Sequence, residues 1–114
     1  MIKRRVIYNL HRKHDGVLFR HSRQSANILS RLTFQLDKYP MPYRLNFDYP
    51  YQLIVYCNGR FSLHAGGFDK RIDMIPLKTS GEPCNTKYKR AFQTPKGVVN
   101  YILSKYGKGK VNYD

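Results

Sequence analysis

Arg60, Ser62 and His64 alternate in the stretch RFSLHA, so on a β-strand all three point to the same face. Metal-free cleavage of RNA needs a base, an acid and a cation beside the scissile phosphate. His64 with Arg60 is the first candidate set for that chemistry, followed by His11 or His14. The corresponding reading is a metal-independent ribonuclease of the toxin type. A histidine on a solvent-facing strand is the simpler account of His64, so no catalytic residue is assigned. Metal chemistry has less support. His11, His14, His21, His64, Cys57 and Cys84 carry ligand atoms, but the chain has neither C-x-x-C nor H-E-x-x-H. Asp69 and Asp73 are the nearest thing to the clustered carboxylates a magnesium site needs, and they read as surface acids. With no Gly-rich phosphate loop either, no metal or cofactor is implied.

Binding is better represented than catalysis. Cations and rings interleave in Lys87-Tyr88-Lys89-Arg90 and in Lys105-Tyr106-Gly107-Lys108-Gly109-Lys110. Single strands are held by this mixture, with cations tracking phosphates and bases stacking on rings. Arg60, Lys87, Lys89, Arg90, Lys105, Lys108 and Lys110 are therefore expected to neutralise phosphate, with Tyr88 and Tyr106 as stacking surfaces. The net charge of +14 agrees. Residues 1–30 and 83–114 carry seven basic side chains each against one acid, whereas residues 31–82 are nearly balanced. Self-repulsion on this scale is relieved by a polyanion. The expectation is a sequence-tolerant binder of DNA or RNA. A viral or mobile-element accessory protein that inhibits an acidic or nucleic-acid-binding protein is a third class with the same charge signature. No apolar run is long enough to span a membrane, and the start Met1-Ile2-Lys3-Arg4-Arg5 lacks a secretory h-region. Two cysteines make no disulfide framework, so the expected setting is cytoplasmic.

The elements that must position these side chains form one α+β domain over residues 1–106, followed by a flexible basic tail, 107–114. Val6, Ile7 and Tyr8 predict a strand over 3–10, and Asp15-Gly16 a hairpin pairing Arg12 with Phe19. A short helix after Ser22 or Ser25 is followed by a strand in which Leu32, Phe34 and Leu36 alternate with polar residues. The alternative is one helix with Ile28, Leu32 and Leu36 as its stripe. The echo of RLTFQ in RLNFD suggests two paired strands around Pro40 and Pro42. Asn58-Gly59 predicts a two-residue hairpin turn that sets Tyr56 against Phe61 and Ile54 against Leu63. That register gives Leu53, Val55 and Cys57 to the Arg60/Ser62/His64 face. A strand over 71–77 is limited by Pro76 to an edge or a bulge, and 78–90 reads as a polar loop. The final helix has Thr94 as N-cap, Pro95 at its first position, Gly107 as its stop, and a stripe of Val98, Val99, Ile102, Leu103 and Tyr106. The whole is a mainly antiparallel sheet built from hairpins, with the C-terminal helix and a second short helix on one face.

Overall fold

Five antiparallel strands lie side by side in chain order and carry their helices on one face. The computed structural model describes residues 1–15, 22–39, 41–46, 52–65 and 71–107. Two helices come first, α1 (Arg4–Asp15) and α2 (Ser22–Lys38). The strands are β1 (Tyr43–Asn46), β2 (Gln52–Tyr56), β3 (Arg60–Ala65), β4 (Ile72–Leu77) and β5 (Arg90–Phe92). A 3₁₀ turn, Thr86–Tyr88, precedes β5, and α3 (Pro95–Tyr106) closes the fold. The α+β class and the helix packed on the sheet are thus as the sequence predicts.

Three local expectations are corrected. Residues 4–15 are helix, not strand, and the Asp15-Gly16 hairpin does not form as read, because Arg12 and Lys13 lie within α1. Ile7 is fully buried against α2 while Arg4, Arg5 and Asn9 face out, so helical packing overrides the β-propensity of Val6-Ile7-Tyr8. Residues 30–38 are also helix. The i, i+4 stripe of Ile28, Leu32 and Leu36 is buried, whereas Phe34, required inside by the strand reading, is 45% exposed. RLTFQ is therefore helical and cannot pair with RLNFD as a strand. Thr33, buried in α2, is satisfied twice: its hydroxyl donates to Ser30 O (2.7 Å) and accepts from Ile2 N (2.9 Å).

The third correction is the register of the central hairpin. Tyr56 pairs with Arg60, Val55 with Phe61, Ile54 with Ser62 and Leu53 with Leu63. The loop is three residues, Cys57-Asn58-Gly59, with Asn58 at φ 52° and Gly59 at φ 155°. A one-residue slip moves every side chain of β2 to the other face. Here it sends Leu53 and Val55 inward with Phe61 and Leu63, all essentially inaccessible, and turns Ile54 and Tyr56 outward. The core joins these strand residues and Met74 to Leu29 and Leu32 of α2 and to Val98, Val99, Ile102 and Tyr106 of α3.

β4 is an interior strand, not an edge, and Pro76 is accommodated on the stretch that β5 leaves unpaired. β5 pairs with β4 only over Ile72–Met74, and beyond it Pro76 uses its carbonyl alone, accepting from Cys84 N at 3.0 Å. The α3 N-terminus forms as read, with Thr94 Oγ1 accepting from Gly97 N at 3.0 Å. The basic tail from Lys108 onward lies outside the described residues. No helix among the described residues is long and apolar enough to cross a membrane.

Candidate nucleic-acid interface

The outer face of the sheet carries no helix among the described residues, and Arg60, Ser62 and His64 lie on it as expected. Their neighbours are Ile54 and Tyr56 rather than Leu53, Val55 and Cys57. Ser62 and Ile54 are only 5% and 4% exposed, so the centre of this face offers little for a base to stack on. The rim offers more. Arg44 Nε donates to the Tyr56 hydroxyl at 3.2 Å, and the Arg60 guanidinium lies 6.0 Å from the Tyr56 ring centre. The half-buried Tyr56 ring thus has a cation on either side of it.

The hairpin tip reaches the end of α3, because Asn58 Nδ2 donates to Tyr106 O at 2.8 Å. Arg60 and Lys105, 45 positions apart in sequence, thereby come to one end of the molecule. Tyr106 cannot serve as the expected stacking surface. Its ring is 2% exposed and packs on Phe61 at 4.5 Å between centres, so a base would have to displace core. Lys105 is held over aromatic rings, with Nζ donating to the Tyr101 hydroxyl at 3.1 Å. Lys108 and Lys110 lie outside the described residues.

The cluster Lys87, Tyr88, Lys89 and Arg90 forms the edge beside β4, where much of its bonding is internal. One Arg90 Nη donates to Lys87 O (2.8 Å) and Lys89 O (2.9 Å), clamping the 3₁₀ turn against β5. Lys89 Nζ is 3.8 Å from Asp73 Oδ2, and Lys87 Nζ is 5.1 Å from the centre of the Tyr88 ring. These cations still project positive potential, but Arg90 in particular is a structural clamp.

Arg60 and His64, the first candidate pair, do not converge. Arg60 and His64 are four residues apart on one strand, about 13 Å at the usual rise. His11 and His14 fall near the end of α1, and their side chains are not among those described. His64 instead stands opposite Asp73 in the β3–β4 register. Asp73 is in turn beside Arg71, whose Nε is 3.0 Å from Oδ1 but angled off the hydrogen-bond line. Burial pushes the Cys57 thiol above its ordinary pKa, which lowers its thiolate fraction and argues against a nucleophile there.

A second surface was not foreseen. On the helical side, α1, α2, the start of β4 and the turn before α3 enclose a groove of about 490 Å³. Arg4, Arg23 and Arg31 line it, with Gln24, Asn27 and Gln93 between them and Ile28 and Ile72 beneath. None of the lining residues is acidic. Among the described residues, no carboxylate lies within ion-pair distance of the three arginines. A smaller adjoining cavity of about 310 Å³ shares Arg4 and Arg23 and adds Arg5 and Tyr8. Arg23, Asn27 and Arg31 recur every four residues, so one helical face holds them. The sequence carried this stripe, but splitting residues 22–38 into a helix and a strand hid it.

No family model, curated protein or solved structure matches this chain. The functional reading therefore rests on the chemistry of the two surfaces.

Proposed function

We propose that this protein is a small, sequence-tolerant nucleic-acid-binding module that contacts its ligand chiefly through phosphates. The observation that carries the reading is the groove lined by Arg4, Arg23 and Arg31 without a carboxylate partner among the described residues. Three guanidinium groups held around one space repel each other unless an anion joins them, and planar guanidinium binds phosphate oxygens in pairs. Tyr56 between Arg44 and Arg60 supplies a second, weaker contact surface on the sheet side. Guanidinium contacts to phosphates carry no sequence information, which favours tolerance of sequence.

The test is incubation with labelled single-stranded RNA and DNA in EDTA across a salt series. Binding without cleavage is expected, with a log–log salt slope of about −0.7 per phosphate contacted. A second reading, the metal-independent ribonuclease, rests on His64 facing Asp73 with Arg71 and Lys89 beside the carboxylate. Cleavage in EDTA that His64→Ala abolishes would establish it instead. Absence of both binding and cleavage, with an acidic protein co-purifying, would favour the inhibitor class.

A further inference from the structure

The groove is bordered by four elements and stands about half open to solvent. α1 contributes Arg4, α2 contributes Arg23 and Arg31, and β4 and the β5–α3 turn supply Ile72 and Gln93. Its volume of about 490 Å³ lies within the range of small-ligand sites, roughly 300–1,000 Å³. A space walled by four elements suits the end of a chain better than its middle.

The charge balance points the same way. An internal phosphodiester brings one negative charge and two free oxygens. A terminal phosphate monoester brings about −1.5 to −2 at neutral pH and three free oxygens, by analogy with phosphorylated side chains. Three guanidinium groups are left with less uncompensated charge by the second than by the first, and its three free oxygens give each of them an acceptor. Pro95, the first residue of α3, also lines the groove, so the positive end of that helix dipole adds to the same potential. The adjoining cavity provides the way out. It runs between α1 and α2 and contains Tyr8, with the Arg23 guanidinium 5.8 Å from the ring centre. A ring beside a planar cation gives the next base a surface to stack on.

We propose that the Arg4–Arg23–Arg31 groove is a receptor for the terminal phosphate monoester of a nucleic-acid strand. The proposal rests on the nucleic-acid-binding reading and specifies which part of the ligand the groove takes.

The experiment uses the full chain and one short single strand with an internal fluorophore, in three forms. These carry a 5′-phosphate, a 3′-phosphate, or hydroxyls at both ends, and anisotropy is read near physiological salt. At least one phosphorylated form should bind about 10-fold more tightly than the hydroxyl form or better, a gain of charge-assisted hydrogen bonds. Which of the two gains identifies the end. Arg31→Gln and Arg4→Gln, both at exposed positions, should each cut that ratio several-fold without altering the melting temperature. Arg44→Gln on the sheet side should weaken all three forms alike and leave the ratio intact. Equal, tight binding of all three strands would overturn the terminal-phosphate site while leaving the nucleic-acid reading in place. Loss of affinity in Arg31→Gln with an unchanged ratio would do the same. Failure of every strand to bind would remove the broader reading, and this one with it.

Discussion

Arg31 and Arg90 are both exposed arginines in a chain of net charge +14, and they do different work. Arg90 donates hydrogen bonds to Lys87 O in the neighbouring 3₁₀ turn and to Lys89 O just after it, and Lys89 leans on Asp73. Arg31 looks into a groove with Arg4 and Arg23, where no described carboxylate meets it. The β4–β5 edge spends part of its positive charge on its own shape, while the helical groove keeps its charge for something else. Counting cations along a sequence therefore overstates the edge and understates the groove.

The contrast can be tested from its foundation outward. Both regions rest on one core, so Ile102→Ala, which truncates a fully buried side chain of α3, should cost about 2–4 kcal/mol in urea unfolding. A loss below about 0.5 kcal/mol would mean that the helical layer and the sheet are not one cooperative unit. Next in size, Arg4→Gln combined with Arg31→Gln should make the single-strand salt slope shallower by about 1.4 units while stability is kept. An unchanged slope would erase the distinction between groove and edge. Arg90→Gln should do the converse, lowering stability by about 1 kcal/mol through two lost carbonyl contacts and leaving the slope nearly as it was. If it flattened the slope as far as the groove pair does, the edge would be a contact surface after all.

The smallest effect sets a paired charge on α2 against the unpaired ones. Asp37 accepts from the Met1 amine and, at 2.9 Å, from the Tyr43 hydroxyl, and these bonds, the first foremost, hold its carboxyl below the ordinary value of 3.8. A lowered folded pKa means that the pair stabilises the fold above the unfolded value and is lost as pH falls through the folded one. Wild type should therefore lose stability below about pH 4 that Asp37→Asn never had, and by well under ~1 kcal/mol, since the groups are exposed and screened. Parallel acid titrations followed by circular dichroism would show the two curves converging; curves that stay parallel would remove the pair as a contributor.

Much of this architecture was legible where local chemistry was unambiguous. Thr94, Pro95 and the Val98–Ile102 stripe mark α3 because a cap, a fixed φ and a period of 3.6 agree there. The strands flanking Asn58-Gly59 were legible as a hairpin, but not in register. Two- and three-residue loops both accept Asn-Gly, and burial of Leu53 and Val55 decides between them. The first 38 residues were least legible. Val6-Ile7-Tyr8 favours a strand locally, and its helix exists because Ile7 packs on α2, a contact no short window contains. The groove followed that failure, since its arginines come from the two misread helices. Of the expected cations, Arg60 and Lys105 belong to segments joined at one end of the molecule, by a side-chain bond from Asn58 that spacing does not announce.

The chain-order meander also governs the sequence of events in folding. Each strand from β1 to β5 pairs with its successor, so the sheet can grow by closing short loops one after another. α3 has no such route to the other helices. α3 must find α2 across more than fifty intervening residues, and the Asn58–Tyr106 bond closes a span of 48. Nucleation is accordingly expected in the β2–β3 hairpin, with φ-values for Val55→Ala well above those for Val98→Ala. The reverse order would place the nucleus between the helices. On a ribosome, the β5–α3 turn emerges after the other three walls of the groove, so the space between them is complete only once Gln93 and Pro95 have been made.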